Sequence, residues 1–229
     1  FIYMAQLSDR LNRLAPSATL AMSQRSNEMK AQGINVINMS IGEPDFMTTD
    51  YVKEAGKRAI DDNFSKYSPV PGYLSLRTAI ANKLKRENNL NYSASEVIVG
   101  TGGKQGVCNT ILALVNPGDE VIIPAHYWVS YPQMVKLAGG NPVIVSAGIE
   151  QDFKVTADQL KAAITSKTKL IILCSPSNPT GSVYTKEELE ALAKIVLEHN
   201  DLLVLSDEIY EHINYIGCHA SIAACEGMK

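Results

Sequence analysis

The residues best suited to binding chemistry fall in four short segments, of which the first contains a glycine pair. Thr101, Gly102, Gly103 and Lys104 lie between a short apolar run and a helical pattern. Glycines let backbone N–H groups converge, and a helix N-terminus adds partial positive charge, so this segment could hold a phosphate. It lacks the GxGxxG spacing of dinucleotide sites and the full Walker spacing. Taken alone, it could equally be a tight turn.

The second and third segments offer a flat ring and an amide. Trp128 is the only tryptophan of the chain and follows an apolar run, where it could stack on a flat ligand or fill the core. Asn178 stands among the prolines of the segment 175–181, and its side chain can both donate and accept hydrogen bonds. A rigid structural turn is the alternative for that loop.

The fourth segment runs from Ser206 to Tyr210. An acidic residue at the end of a buried strand is costly unless it meets a cation, a donor or a metal. Asp207 is therefore either a ligand-binding residue or the cap of a helix that follows. Tyr210 comes three residues later and lies on the same side if a helical turn begins there.

The elements that must position these segments are βα units. Apolar runs rich in Val, Ile and Leu alternate with amphipathic stretches and predict strands buried on both faces, at 96–100, 120–124, 142–145, 170–174 and 202–206. Ligands of open parallel sheets bind beyond the carboxyl ends of the strands. All four segments fall at such ends, so the sequence predicts that they form one site.

Helical patterns fill the remainder of the chain. The capping boxes Thr185-x-x-Glu188 and Thr156-x-x-Gln159 open two predicted helices, and others are predicted around 20–31, 51–61, 74–87 and 104–115, with a short strand at 36–39. We therefore predict an α/β fold: a three-layer sandwich with a mostly parallel central sheet, preceded by a helical N-terminal arm.

Composition narrows the function classes. The net charge of −3 provides no basic field for nucleic acid or anionic lipid, and no apolar run is long enough to cross a membrane. The four cysteines show no CxxC pair and no zinc spacing, so we expect structural thiols, no metal site and a cytoplasmic location.

At the four segments the sequence resembles the fold-type I aminotransferases, which use pyridoxal 5′-phosphate (PLP). Thr-Gly-Gly-Lys-Gln, Tyr-Trp-Val-Ser-Tyr-Pro, Ser-Pro-Ser-Asn-Pro-Thr-Gly and Ser-Asp-Glu-Ile-Tyr occur in that family's order and spacing, and segments 41–46 and 66–69 add two matches. The resemblance runs from about residue 11 to 215, is nearest to bacterial-type aspartate aminotransferases, and covers the N-terminal portion of such proteins.

The resemblance implies a role for each candidate residue. The backbone N–H groups of Gly103 and Lys104 would hold the PLP phosphate, Trp128 would stack on the pyridine ring, and Asp207 would pair with its protonated nitrogen. Asn178 and Tyr210 would hydrogen-bond the phenolic oxygen of the ring. Tyr67 would reach the phosphate of a neighbouring subunit, which implies a homodimer.

The resemblance also implies how an amino acid and a 2-oxo acid would be recognised. Gly42, Trp128 and Asn178 would approach the α-carboxylate of the substrate. Lys104 would bind the distal carboxylate of aspartate, assisted by hydroxyls near Ser17 and Thr19, although a solvated surface lysine is the alternative.

The family's lysine that forms a Schiff base with PLP is expected beyond Lys229, because neither Lys194 nor Lys229 has a matching context. We expect residues 1–46 to form the N-terminal arm and a small-domain segment, and 47–229 a truncated PLP-binding large domain. The full-length parent would transfer an amino group between L-aspartate and 2-oxoglutarate, whereas this chain alone would be inactive. The alternatives are an aminotransferase for alanine, aromatic or prephenate-type substrates, a PLP lyase, and a non-catalytic fragment that binds phosphate or PLP.

Overall fold

A computed structural model describes residues 6–228 of the chain. These residues form two compact units, one comprising residues 6–15 and 71–228 and the other residues 16–70. The predicted domain boundary at residue 46 differs from this division into compact units; it concerns the domains of the longer family proteins and stays a prediction.

The larger unit is built on a parallel sheet of four strands. β1 (Glu120–Pro124), β2 (Asn141–Val145), β3 (Thr168–Cys174) and β4 (Leu203–Asp207) lie in the order β2-β1-β3-β4, and every neighbouring pair is parallel. Four of the five predicted apolar runs therefore formed strands, within one or two residues of the predicted bounds at each end. The predicted α/β class with a parallel central sheet is confirmed.

Alternate side chains of each central strand face opposite sides of the sheet. In β1, Val121 and Ile123 join one buried cluster, whereas Ile122 joins the other. Both faces are covered, which explains why these strands read as continuous apolar runs rather than as an alternating pattern. The sheet and its two helical layers make the predicted three-layer sandwich.

Six helices agree closely with the sequence patterns, whereas those at Asp9–Asn12 and Ser130–Ala138 were not predicted. Their bounds are α1 Asp9–Asn12, α2 Ala18–Ala31, α3 Asp50–Asp61, α4 Leu74–Asn88, α5 Gly103–Leu114, α6 Ser130–Ala138, α7 Ala157–Ala163 and α8 Lys186–Leu197. Short 3-10 turns lie at Ala94–Glu96, Ile149–Gln151 and Ile222–Ala224. Helices α5 and α6 pack on one face of the sheet, and α7 and α8 pack on the other.

Both predicted capping boxes are formed. The hydroxyl of Thr185 accepts from the backbone N–H of Glu188 at 3.2 Å, and the carboxylate of Glu188 accepts from the N–H of Thr185 at 2.8 Å. Thr156 and Gln159 make the same reciprocal pair at the start of α7. Each box satisfies backbone donors that have no acceptor within their own helix.

Two predicted strands are wrong. Segments 96–100 and 36–39 have the composition of strands, but neither pairs with a strand among residues 6–228. A strand needs a neighbour for its backbone hydrogen bonds, and composition alone does not provide one. In the first segment Val99 N donates to Pro71 O at 3.0 Å, and in the second Ile37 and Met39 are exposed.

The unit of residues 16–70 contains α2 and α3. The hydroxyl of Ser17 caps α2 by accepting from Leu20 N at 3.3 Å. No helix within residues 6–228 has the length and apolar character needed to cross a membrane.

Candidate functional site

The strand order creates a crevice at the carboxyl ends of β1 and β3. The chain moves from β1 to β2 in one direction across the sheet, and β3 then returns to the other side of β1. Connections that leave two adjacent strands in opposite directions open a crevice between them, where parallel sheets bind ligands. The segment of Trp128 follows β1, and the loop of Asn178 follows β3.

Asp207, the last residue of β4, lies beside this crevice and uses both of its carboxylate oxygens. Oδ2 accepts a hydrogen bond from the phenol of Tyr131 at 2.7 Å, and Oδ1 accepts from the backbone N–H of Ile209 at 3.3 Å. Because each carboxylate oxygen has two lone pairs, capacity remains for another donor. The alternative role of Asp207 as a helix cap is therefore limited to closing this local turn.

Tyr131 is held in its protonated form. Its side chain is only 2% exposed. Burial, followed by the neighbouring Cys174 thiol and Asp207 carboxylate, raises the pKa of the Tyr131 phenol well above its ordinary value. Burial also raises the pKa of the Cys174 thiol. The phenol therefore acts as a donor and holds Asp207 as an acceptor.

Trp128 links this pair to Lys104. The indole ring packs edge to face against the Tyr131 ring, with centroids 5.4 Å apart. The Lys104 ammonium lies 5.1 Å from the centroid of the indole, within the range of a cation–π contact. A chain of contacts therefore runs from the start of α5 through Trp128 to the end of β4.

The glycine pair opens α5 as the sequence predicted. Gly102 is the residue before the helix and has φ +83°, a backbone conformation that favours glycine. Gly103 and Lys104 are the first two residues of α5, so their backbone N–H groups have no acceptor within the helix. A Cβ at Gly103 would lie 3.8 Å from the side chain of Ile209, which places this helix end beside the turn after β4.

Asn178 and Tyr210 meet at the same edge. The amide of Asn178 donates to the phenolic oxygen of Tyr210 at 3.3 Å, across two loops that follow β3 and β4. The strand register explains the meeting, because Cys174 and Asp207 end their strands as partners. The contact leaves both groups near the crevice and partly exposed.

The remaining predicted site residues lie in the unit of residues 16–70. Thr19 is the second residue of α2 and is partly buried, Gly42 lies in the segment between α2 and α3, and the side chain of Tyr67 is fully exposed. Their contacts with a cofactor, a substrate or a second subunit stay predictions.

The family assignment comes from comparison with known proteins. A family model for aminotransferase class I and II matches residues 34–226. The chain belongs to this aminotransferase family. The aspartate/prephenate aminotransferase of Cereibacter sphaeroides is 53% identical over 210 residues, which are 92% of this chain and 52% of that protein.

Solved structures of aminotransferases have the same fold. The aspartate aminotransferase of Thermus thermophilus with maleate has a TM-score of 0.92 and 45% identity over 96% of this chain and 57% of its own. The alanine aminotransferase of Pyrococcus furiosus has a TM-score of 0.91 and 32% identity over 96% of this chain and 56% of its own. This chain therefore spans about half the length of the relatives it matches, and the fold alone does not separate their substrates.

The residues of the candidate site fit PLP, the cofactor that this family implies. The free N–H groups at the start of α5 suit a phosphate, the indole of Trp128 suits a flat ring, and the Asp207 carboxylate suits a protonated ring nitrogen. The amide of Asn178 and the phenol of Tyr210 can donate to a ring oxygen. Each of these groups therefore has a counterpart on PLP.

Sequence reasoning assigned no role to Tyr131. It lies three residues after Trp128 in the motif Tyr-Trp-Val-Ser-Tyr-Pro, and Tyr131 N bonds Trp128 O at 3.0 Å in a tight turn. The spacing could have indicated that both rings point to one place. Nothing in the sequence indicated Asp207 as the acceptor, because that contact joins residues 76 positions apart.

Proposed function

We propose that this chain forms the PLP-binding part of an aminotransferase that transfers an amino group between L-aspartate and 2-oxoglutarate. The observation that carries the proposal is the Asp207 carboxylate, fixed by Tyr131 at the end of β4 and flanked by Trp128 and the start of α5. The identity to aspartate aminotransferases supports the reaction class.

The proposed cofactor site gives each side chain a physical task. When bound, PLP supplies an electron sink that withdraws electrons from the amino-acid carbon. Asp207 would pair with the protonated ring nitrogen, and Tyr131 would keep Asp207 oriented as an acceptor. Asn178 and Tyr210 would hold the ring oxygen, while Gly103 and Lys104 would bind the phosphate through their N–H groups. Trp128 would cover the ring.

The preference for an acidic substrate rests on Lys104. Its ammonium lies over the face of Trp128, and both residues are accessible at the crevice. Lys104 is exposed, and an exposed cation–π contact is worth only about 0.5–1 kcal/mol, so the ammonium can leave the partly buried indole for the carboxylate of a substrate. The roles of Thr19 and Gly42 in substrate binding rest on the family resemblance alone.

Prephenate is the second candidate substrate. The Cereibacter sphaeroides relative, at 53% identity, is named for both aspartate and prephenate. Aspartate and prephenate each carry two carboxylates, so one lysine could bind the second carboxylate of either compound. Homodimer formation through Tyr67 and a cytoplasmic location also remain proposals, the second supported by four cysteines that are all free.

The cofactor proposal can be tested directly, because Trp128 is the only tryptophan and its fluorescence reports on the site. Titration of this chain with PLP should quench Trp128 fluorescence saturably, and Asp207→Ala should raise the dissociation constant at least tenfold. Asp201→Ala changes an exposed aspartate of the same unit and is the matched control. Equal affinity of the two variants would exclude Asp207 as the ring-nitrogen partner.

The reaction itself needs the full-length protein. Its activity on a panel of amino acids with 2-oxoglutarate should be highest with aspartate, and activity with alanine alone would reject the acidic preference. For the present chain, borohydride reduction after PLP binding should leave no covalent label on any lysine. A labelled lysine found by mass spectrometry would contradict that expectation.

A further inference from the structure

The turn that carries Asp207 and Tyr210 also contains two carboxylates, Glu208 and Glu211, that the site described above does not use. The side chains of Glu208 and Glu211 are only 19% and 18% exposed. Charges so far removed from water need several partners. Both have partners that come from distant parts of the chain.

Glu208 fastens the first half of the turn to the segment around Ser221. Its Oε1 accepts from the hydroxyls of Ser206 at 2.7 Å and Ser221 at 2.6 Å. Its Oε2 lies 2.9 Å from Nε2 of His219, whose side chain is 11% exposed. Ser221 is itself buried and starts a 3-10 turn that packs against α8. Glu208 thus ties the end of β4 to the core.

Glu211 fastens the second half of the turn to α4. It accepts from the amide of Asn88 at 2.8 Å and forms a close ion pair with Lys83. Burial by itself would raise the pKa of Glu211, but the hydrogen bonds from Lys83 and Asn88 outweigh it and lower that pKa below its ordinary value. The backbone N–H of Glu211 also donates to the carbonyl of Glu208 at 3.0 Å.

The same cluster could be read as a metal site, since one ligand atom each from Glu208, Glu211 and His219 lies within 4.8 Å of the others. The hydrogen bonds argue against that reading. The Lys83 ammonium already neutralises Glu211, and two hydroxyls already occupy Oε1 of Glu208. The carboxylates have the partners that structural anchors require.

We propose that Glu208 and Glu211 are positioning residues, which clamp the turn 207–210 from both sides and so aim Asp207 and Tyr210 at the cofactor. This inference rests on the proposed PLP site. Asp207 and Tyr210 are adjacent to the clamped residues, and an error of 1 Å in such a turn would break contacts of hydrogen-bond length. Of the two glutamates, Glu208 has the larger effect on the turn, because it lies between Asp207 and Tyr210 in the sequence.

The test uses this chain and two probes, PLP and inorganic phosphate. PLP affinity is measured by quenching of Trp128 fluorescence, and phosphate affinity by its competition with PLP. Phosphate needs only the start of α5, whereas PLP also needs the turn 207–210. Glu208→Ala should therefore weaken PLP at least fivefold and leave the inhibition constant of phosphate within twofold. Glu208→Gln retains an oxygen acceptor for both serines and should recover most of the affinity.

The control is Glu226→Ala, which alters an exposed glutamate of the same unit and should change neither constant. Parallel weakening of PLP and phosphate by Glu208→Ala would show a general structural defect and overturn the proposal, as would unchanged PLP affinity. Failure of the unaltered chain to bind PLP would reject the proposed cofactor site itself.

A second measurement needs no ligand. Hydrogen–deuterium exchange of the free chain should become faster in residues 206–213 of Glu208→Ala and stay unchanged in α8. Unchanged exchange in residues 206–213 would show that Glu208 does not hold the turn, whatever its effect on binding.

Discussion

The phenol of Tyr131 donates a hydrogen bond of 2.7 Å to Oδ2 of Asp207, and this contact joins the start of α6 to the end of β4. Tyr131 follows β1, whereas Asp207 ends β4, and β3 lies between these two strands in the sheet. Their side chains nevertheless meet at the carboxyl ends of the strands. Asp207 thus has an orientation before any ligand arrives, which reduces the reorganisation that binding requires.

Loss of this hydrogen bond should lower the free energy of unfolding by a measurable amount. Tyr131→Phe keeps the buried ring and removes one donor to a carboxylate, so the free energy of unfolding should fall by about 1.5–3 kcal/mol. Urea denaturation followed by circular dichroism measures the change. Tyr127→Phe, the neighbouring tyrosine with a partly buried ring, is the control and should change stability by less than about 0.5 kcal/mol. Equal effects of the two substitutions would contradict the prediction.

The same tyrosine should make the protein sensitive to alkali. Burial is the main cause that raises the pKa values of Tyr131 and Tyr184, so both stay protonated in the native state when the unfolded chain begins to lose phenol protons near about pH 10. Above that pH the native state binds more protons, and the free energy of unfolding should fall by up to about 1.4 kcal/mol per pH unit for each tyrosine.

Urea midpoints measured between about pH 8 and 11 test this slope. The Tyr131→Phe variant lacks the contribution of this phenol to the pH dependence. The difference in the free energy of unfolding between the variant and the unaltered protein should therefore shrink as the pH rises past about 10. A constant difference across that range would mean that Tyr131 ionises normally in the folded protein.

The capping box of α8 offers a test of the fold away from the site. Thr185→Ala removes the hydroxyl that accepts from Glu188 N, and the free energy of unfolding should fall by about 1 kcal/mol. Thr78→Ala makes the same change at an exposed position inside α4, where alanine is the better helix former, and should leave stability unchanged or slightly higher. Thermal unfolding of both variants distinguishes the two outcomes.

Substrate choice should depend on Lys104. In the full-length protein Lys104→Ser should lower kcat/KM for aspartate about tenfold, corresponding to ~1.4 kcal/mol, and should change the value for phenylalanine much less. Lys186→Ser, which replaces an exposed lysine of α8, is the control. An equal loss for both amino acids would assign Lys104 to the cofactor alone.

Much of the fold could be predicted because its signals are local. Four apolar runs became the four strands of the sheet, and both capping boxes opened helices at the expected residues. The two wrong strands, 96–100 and 36–39, had the right composition and lacked a neighbour. Strand formation depends on pairing between distant segments, which composition does not report.

The candidate site divides in the same way. Trp128 and Asn178 were predicted because each follows a buried strand, Asp207 because it ends one, and Gly103 because it opens a helix. The sequence determined that much through residue type and position alone. The partner of each residue was decided by the tertiary structure. Tyr131 meets Asp207, Asn178 meets Tyr210, and Glu208 meets Ser221, because parallel strands bring their carboxyl ends to one edge and the intervening helices fix which loops touch there.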